Sequence, residues 1–117
     1  MINHFKDLVV YQKSHTLAVE VYKVTRKFPN SEIFALANQM QRAAVSVTSN
    51  IAEGFSRKTV NEKLQFYSFS KGSLYELQSQ LLISKDLGYV NPDAVFILEN
   101  LIDEVGRLLT GVQQALK

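Results

Sequence analysis

The most constraining feature of the chain is the stretch at positions 42–57, which reads RAAVSVTSNIAEGFSR. It is long enough for a helix, yet small, hydroxylated and β-branched residues fill the positions where an ordinary amphipathic helix carries Leu and Met. Small side chains let a neighbouring helix approach closely, because the distance between packed helices depends on the side chains at the contact. The segment therefore predicts a helix inside a bundle, with its polar groups hydrogen-bonded there.

Length and composition favour one globular domain. The 117 residues, 46% apolar and 21% charged, predict a single domain over 1–117 with its own core. No apolar run reaches the roughly 18 residues that cross a bilayer, so we expect no membrane contact. The N-terminus, MINHFKDL, lacks the pattern of an export signal, which favours a cytoplasmic location. The absence of cysteine excludes disulfides and thiolate metal ligands.

Positive charge is concentrated in the first half of the chain. Residues 1–58 carry eight Lys or Arg against four acids, a balance of +4, and the remainder carries −2, which gives the net charge of +2. This asymmetry is compatible with a surface dipole, with pairing of the two halves across the bundle or between subunits, and with ordinary solvated helix faces.

Helical periodicity is clearest in the last quarter of the chain, where a helix is predicted over 92–116. One apolar seam steps by three and four residues, and a second row follows at sevenfold spacing, so the stripe is wide enough for two partners. The seam comprises Val95, Leu98, Ile102, Val105, Leu109, Val112 and Leu116, and the second row Ala94, Leu101, Leu108 and Ala115. Asn91 is the predicted cap and Pro92 the first helical residue.

A capping box opens the preceding helix, which is predicted over 60–87. Thr59 and Glu62 have the Ser/Thr-x-x-Glu spacing that satisfies two backbone donors. The inward seam of this helix comprises Tyr67, Ser70, Leu74, Leu77 and Leu81. Gly72 lies mid-helix, where glycine costs about 1 kcal/mol relative to alanine, and so predicts a close helix crossing. Gly88 is the predicted left-handed stop.

Two further helices are predicted over 7–28 and 32–56. The inward seam of the second comprises Leu36, Met40, Ala43, Val47, Asn50 and Gly54. A buried Asn50 fixes helix register or oligomer order, because a misaligned partner leaves its amide unpaired. Four helices with short connections predict an all-α, antiparallel up-down-up-down four-helix bundle, which we expect to be oligomeric.

No residue pattern indicates catalysis or a cofactor. Di-iron bundles need Glu-x-x-His on two helices, but the residues three positions before His4 and His15 are Met1 and Gln12. The serines have only these two histidines as candidate bases, and neither a GxxxxGK(S/T) nor a GxGxxG loop is present. We therefore expect a protein that is not an enzyme and that binds no metal or cofactor.

Polar and basic residues provide the candidate binding groups. Glu53 precedes Arg57 by four residues, a favourable ion-pair spacing on a helix, which indicates a structural role or a partner contact. The structural candidates are Asn50, Glu53, Gly54 and Gly72. Phosphate binding requires several cations on one face. The candidates for nucleic-acid contact are Lys13, Lys23, Arg26, Lys27, Arg42, Arg57 and Lys58.

Four segments carry a resemblance to known proteins: DLVVYQKSHTLAVEVY at 7–22, FPNSE at 28–32, QMQRAAVSVTSNIAEGFSR at 39–57 and KGSLYELQSQL at 71–81. They resemble a bacterial family of small four-helix-bundle proteins encoded by intervening sequences within 23S ribosomal RNA genes. The family includes accessory variability proteins of diversity-generating retroelements. The most specific part is RAAVSVTSNIAEG. The chain departs mildly from the family in Tyr11, where Trp is frequent, in Ala35, where Gly is common, and in Thr48, where Pro or Ala is frequent.

The resemblance implies a homopentameric ring and, for the retroelement branch, a basic exterior that binds RNA or DNA and a reverse transcriptase. Two hypotheses follow. The first is a non-enzymatic oligomeric accessory or scaffold protein that contacts structured nucleic acid through Arg42, Arg57, Lys58 and the basic residues of the first helix. The second is a protein-interaction ring without nucleic-acid affinity, whose partner uses the apolar or acidic surface of the last helix.

Overall fold

The structure, a computed structural model, describes residues 2–117 and consists of four long helices. α1 spans Val9–Thr25, α2 Leu36–Ser56, α3 Val60–Asp86 and α4 Pro92–Leu116, and short 3-10 turns lie at Phe5–Asp7 and Asn30–Glu32. Since no strand occurs in this part of the chain, the all-α prediction is confirmed. Nor does any helix between residues 2 and 117 combine the length and apolar character that crossing a membrane demands.

α1 is shorter at both ends than the predicted span of 7–28. At its start, the side chain of His4 accepts a hydrogen bond from the backbone of the 3-10 turn, and the extended Leu8 separates that turn from the helix. At its end, Phe28 N donates to Thr25 O at 3.1 Å, a tighter turn than the α-helix. Local hydrogen bonds therefore end the helix before its apolar periodicity does.

α2 begins at Leu36 rather than at the predicted residue 32. Ala35 has φ −120° and ψ −108°, outside the helical region, so the preceding 3-10 turn is not continuous with the helix. Glu32 Oε1 accepts a hydrogen bond from Leu36 N at 3.3 Å. The carboxylate thus caps α2 from the preceding turn, at the positive end of the helix dipole.

The core is formed by the predicted seams, with one correction on α2. All the predicted seam residues of α3 are buried, and so are those of α4 from Val95 to Leu109. Asn50, predicted to point inward, is only half-buried, and Ile51 takes the buried position. The prediction was wrong because the buried row continues from Val47 to Ile51, and Asn50 is rotated from it by about 100°.

Each helix packs against two others. α2 contacts α1 and α3, and α4 contacts the same two helices, whereas within residues 2–117 no Cα atoms of α1 and α3, or of α2 and α4, come within 8 Å of each other. Side-chain hydrogen bonds join three of the packed pairs: Thr25–Gln41, Ser46–Ser73 and Lys71–Thr110. The four helices therefore surround one core.

Of the two glycines, Gly54 rather than Gly72 lies at a tight contact between helices. A Cβ atom added to Gly54 would lie 2.8 Å from Tyr67 Cε1 and 3.2 Å from Phe66 Cβ, so only glycine fits without a shift. A Cβ atom added to Gly72 would meet no atom within 4 Å. The prediction of a crossing at Gly72 was wrong because this residue lies on the exposed face of α3, about 200° from the buried Ser70.

The predicted N-cap residues of α3 and α4 and the predicted stop at Gly88 are found in the structure. The Thr59 side chain caps α3 by accepting from Glu62 N at 3.2 Å. The Glu62 carboxylate accepts from the Thr59 hydroxyl at 2.9 Å instead of from the Thr59 backbone N–H, so the first half of the predicted capping box is confirmed and the reciprocal half is replaced by a bond between the two side chains. Asn91 Oδ1 accepts from Ala94 N at 2.8 Å, and Gly88 has the left-handed φ of +75°.

The α1–α2 and α3–α4 loops are joined at one end of the bundle. The rings of Phe28 and Tyr89 lie 5.3 Å apart. The Tyr89 hydroxyl donates to Glu32 Oε2 at 3.2 Å. One loop therefore supports the other.

Candidate functional site

Four of the seven predicted basic residues lie at the same end of the bundle. The hydrogen bond between Thr25 Oγ1 and Gln41 Nε2, 2.9 Å long, sets the end of α1 beside the start of α2, and an arginine directly follows each of these two residues. Three cationic side chains at the end of α1 and in the turn that follows it, Lys23, Arg26 and Lys27, line a shallow pocket of about 420 Å³. This group, which we call the basic end, comprises Lys23, Arg26, Lys27 and Arg42.

Most of the charge at the basic end is not neutralised by the protein. Lys23 Nζ lies 3.4 Å from Glu20 Oε1, but such an exposed pair contributes at most about 1 kcal/mol. Among residues 2–117, no carboxylate oxygen lies within 4.0 Å of a side-chain nitrogen of Arg26, Lys27 or Arg42. These exposed cations are able to exchange water for a phosphate group.

Arg57 lies at the opposite end of α2, and its charge is already engaged. Its Nε is 3.4 Å from Glu53 Oε2 and its Nη1 is 3.8 Å from Glu62 Oε2, which confirms the predicted pair with Glu53. Its guanidinium carbon lies 4.6 Å from the centre of the Phe66 ring. The fifteen positions that separate Arg42 from Arg57 correspond to about 22 Å of helix. Arg57 and the adjacent, exposed Lys58 therefore share no face with the basic end.

Lys13 is used in a contact between helices. Its Nζ lies 3.5 Å from Glu104 Oε1, which joins the basic first helix to the acidic last one. Charge pairing across the bundle, one of the explanations left open by the sequence, thus occurs at this position. The seven predicted cations are consequently divided among the basic end, the turn between α2 and α3, and the α1–α4 contact.

The polar groups of the distinctive segment at 42–57 are used inside the contact between α2 and α3. Ser70 Oγ donates to Val47 O at 2.8 Å. Asn50 Nδ2 donates to Ser46 O at 2.9 Å, and the Ser46 hydroxyl shares a 2.8 Å hydrogen bond with Ser73. The prediction of close packing with internally bonded polar groups is confirmed for these residues. The segment therefore holds the bundle together instead of forming an open site.

Lys63, which was not predicted as a functional residue, joins the start of α3 to the end of α2. Its Nζ donates to Phe55 O at 2.7 Å and to Gly54 O at 3.4 Å. A cation at the carbonyl end of a helix is favourable electrostatically, as is often seen when it lies on the same helix. Here it comes from the next helix, so no local pattern in α2 predicted it.

A polar groove lies between the outer faces of α2 and α3. It has a volume of about 600 Å³ and is lined by Phe34, Asn38, Gln39, Arg42, Ala43, Ser46, Glu76 and Gln80. We call it the α2–α3 groove. Phe34, at its edge, is 91% exposed. Gln80 Oε1 is buried and accepts no hydrogen bond from residues 2–117.

Only Arg42 among the polar lining residues of the α2–α3 groove was singled out from the sequence as a binding candidate. Phe34 lies outside every helical seam, in the loop before α2. Glu76 and Gln80 are polar residues on an outer helix face, where hydrophobic periodicity carries no information about function. Their four-residue spacing on α3 was the one available indication that they share a face.

The described residues bring together no recognisable catalytic group or metal site. Within residues 2–117, no three His, Cys, Asp or Glu side chains are grouped as metal ligands. Burial raises the pKa of Tyr67 above its ordinary value of 10.0. Desolvation, followed by the hydrogen bond and the charge of Glu32, raises the pKa of Tyr89. Both phenols therefore stay protonated at neutral pH and act as packing groups.

Comparison with known proteins gives a family and a fold. A family model described as "23S rRNA-intervening sequence protein" matches residues 6–111. A crystal structure from Bacteroides thetaiotaomicron, of a protein with unknown function from the S23 ribosomal protein family, is similar at a TM-score of 0.85 and 21% sequence identity. The likeness covers 93% of this chain and 98% of that chain, and it shows a shared fold. No curated protein matches the sequence.

Proposed function

Because the chain belongs to the family of 23S rRNA-intervening sequence proteins, as the resemblance predicted, we propose that it is a non-enzymatic, oligomeric accessory or scaffold protein of the cytoplasm that binds nucleic acid. The observation that carries the proposal is the basic end. It gathers three exposed cations without a carboxylate partner among residues 2–117, together with Lys23 in a weak surface pair. Phosphate neutralisation by such cations supplies most of the affinity of sequence-independent binding.

The bundle proposed for this function is antiparallel and runs up-down-up-down. The support comes from the hydrogen bonds between α2 and α3, in which residues further along α2 pair with residues less far along α3, as in two helices that run in opposite directions. Ser46 pairs with Ser73, whereas Val47, one residue later, pairs with Ser70, three residues earlier. The short connections between the helices favour the same arrangement.

Self-association is the second part of the proposal, and the family resemblance implies a homopentameric ring. Its support in the structure is apolar surface on the outer faces of α3 and α4. Phe96 is 67% exposed, Tyr75 61% and Ile97 52%. Exposed large apolar side chains of this kind are typical of protein interfaces where they lie together on one surface. A ring of copies would also multiply a modest basic end, so that several sites act on one nucleic acid.

The nucleic acid is proposed to be RNA or DNA, and a reverse transcriptase is the protein partner implied by analogy with the retroelement branch of the family. The basic end offers cations for phosphate contact, but it does not present a helix that could enter a major groove and recognise base pairs. Binding through it should therefore depend on phosphate density and on salt more than on sequence.

Charge reversal with a matched control tests this function. We expect the double variant Arg26→Glu with Lys27→Glu to bind a fluorescently labelled RNA hairpin at least tenfold more weakly than the wild type. The dependence of log affinity on log salt should become less steep by about 1.4 to 1.8, because two phosphate contacts are lost. The control, Lys58→Glu with Lys117→Glu, changes the net charge equally at exposed positions outside the basic end. Equal losses in the two double variants would contradict a localised site.

The alternative function is a protein-interaction ring without nucleic-acid affinity, and the exposed Phe96 and Ile97 on α4 favour it. Titration of the wild-type protein separates the two. Absence of RNA binding at low salt, combined with loss of a cellular protein partner after Phe96→Ser and Ile97→Ser, would establish the alternative and reject the first proposal.

A further inference from the structure

Phe34 is the most exposed of the large apolar side chains, at 91%, and it stands at the edge of the polar α2–α3 groove. An aromatic ring in that position contributes almost nothing to the core, although its burial would be favourable. The exposed ring, the polar groove and the cation beside them form one continuous surface at the basic end. Proteins bind single-stranded nucleic acid with such groups: an aromatic ring stacks on the base, and a cation contacts the phosphate.

We propose that the α2–α3 groove receives one unpaired nucleotide of the bound nucleic acid, with its base stacked on Phe34 and its phosphate on Arg42. The proposal rests on the proposed function and adds the place and the chemical class of the ligand to it. Aromatic side chains stack on the flat face of any base, and this tolerance suits a protein that recognises strand state rather than sequence.

The groove carries the hydrogen-bonding groups that an extruded base needs. Asn38, Gln39 and Gln80 present amides, which both donate and accept, and Glu76 presents an acceptor. The volume of about 600 Å³ lies in the range usual for small-ligand sites.

The charges of the groove orient the nucleotide. Glu76 repels phosphate and attracts base amino groups, whereas Arg42 attracts phosphate. Because no carboxylate among residues 2–117 lies within 4.0 Å of the Arg42 guanidinium, its charge is available to the ligand. The phosphate therefore lies on the α2 side and the base edge on the α3 side.

An unpaired nucleotide fits this surface better than a duplex or a second copy of the chain. A paired base is stacked on both faces, so its ring is not accessible to Phe34. A groove lined mostly by amides, a guanidinium and a carboxylate is a poor seat for the apolar side chains exposed on α4. Native mass spectrometry of the Phe34→Ala variant, described below, tests whether Phe34 instead contacts another copy of the chain.

The chain contains no tryptophan, which makes a direct experiment possible. Phe34→Trp creates a protein with one fluorophore at the groove, and Phe96→Trp, on the exposed outer face of α4, is its matched control. Both are titrated with an unstructured single-stranded RNA 12-mer and with the duplex that contains the same strand. In the Phe34→Trp variant we expect the single strand to quench the indole fluorescence and the duplex to quench it less. In the Phe96→Trp variant we expect little change with either RNA.

Affinity gives a second, independent measurement. Phe34→Ala should weaken binding of the single-stranded 12-mer about tenfold or more, because a base loses its stacking partner, whereas Phe34→Tyr should retain wild-type affinity. Circular dichroism establishes that each variant is folded. Since Phe34 is outside the core, we expect unfolding midpoints within experimental error of the wild type.

Three results would overturn the proposal. If Phe34→Ala binds as tightly as the wild type while the Arg26 and Lys27 charge reversal weakens binding, the proposed function survives and the groove site is wrong. If Phe34→Ala changes the mass of the assembly by native mass spectrometry and leaves RNA affinity unchanged, Phe34 is a contact between copies. If the wild type binds neither RNA, both the site and the proposed function fail.

Discussion

Replacing Gly54 with alanine probes a tight point of the contact between α2 and α3. The added methyl group would lie 2.8 Å from Tyr67 Cε1, 3.1 Å from Tyr67 Cδ1 and 3.2 Å from Phe66 Cβ. Real Cβ contacts are longer than the first of these distances, so the helices must separate or the Tyr67 ring must move. Tyr67 is only 3% exposed, so its ring cannot move away from the added methyl group without displacing core neighbours or becoming exposed to solvent.

Two effects of opposite sign set the magnitude. Overpacking a well-filled core costs about 1 to 3 kcal/mol. Alanine in a helix interior is more favourable than glycine by about 1 kcal/mol. We therefore expect Gly54→Ala to lower the free energy of unfolding by about 1 kcal/mol.

Gly72→Ala is the matched control, because the same atoms are added in the middle of a helix where the new methyl group meets no atom within 4 Å beyond the local backbone of its own helix. Only the propensity gain of about 1 kcal/mol applies there, so this variant should be more stable than the wild type. The two variants should differ by about 2 kcal/mol.

Urea denaturation at one fixed protein concentration measures the difference, since oligomerisation makes stability depend on concentration. With slopes of about 1 to 3 kcal/mol per molar urea, the midpoints should be separated by roughly 1 M. A Gly54→Ala protein that is as stable as Gly72→Ala would refute the conclusion that glycine is required at this contact.

Three further outcomes follow from the same structure. Ser70→Ala removes the 2.8 Å bond to Val47 O and should lower the free energy of unfolding by about 1 kcal/mol, checked by urea denaturation. Thr59→Ala removes the α3 cap and should cost about 1 kcal/mol, whereas Thr59→Ser should be close to neutral; equal losses would contradict the capping role. Because the folded-state pKa of Tyr67 is raised, its contribution to stability is complete below pH 10 and is lost as the pH rises through that higher pKa. Thermal stability should therefore fall above pH 10, and less so in Tyr67→Phe.

The parts of the fold that the sequence predicted well are those fixed by short-range chemistry. The starts of α3 and α4 follow from the capping box at Thr59 and from Asn91 followed by Pro92, because each cap involves residues within three positions of one another. The start of α2 was misplaced by four residues. Near Glu32 the backbone can form either the hydrogen bonds of an α-helix or those of a 3-10 turn, and the local sequence does not determine which set forms.

Choices between equivalent residues needed the packed structure. Gly54 and Gly72 are both helix-interior glycines, and only the rotation of each helix about its axis determines which one meets a neighbour. Arg42 and Arg57 flank the same segment, yet one is free and the other lies against Phe66 between two carboxylates. The family resemblance identified the fold correctly, but the division of the cations into separate places was not contained in the spacing of the sequence.

The joined loops, in which the Phe28 and Tyr89 rings are in tilted contact and Tyr89 bonds to Glu32, have a mechanical consequence for the end of the bundle that carries the exposed cations. Tension applied by a flexible polymer tethered there would be shared by both helical hairpins instead of peeling one from the other. The two hairpins would therefore keep their relative positions when load is applied at this end.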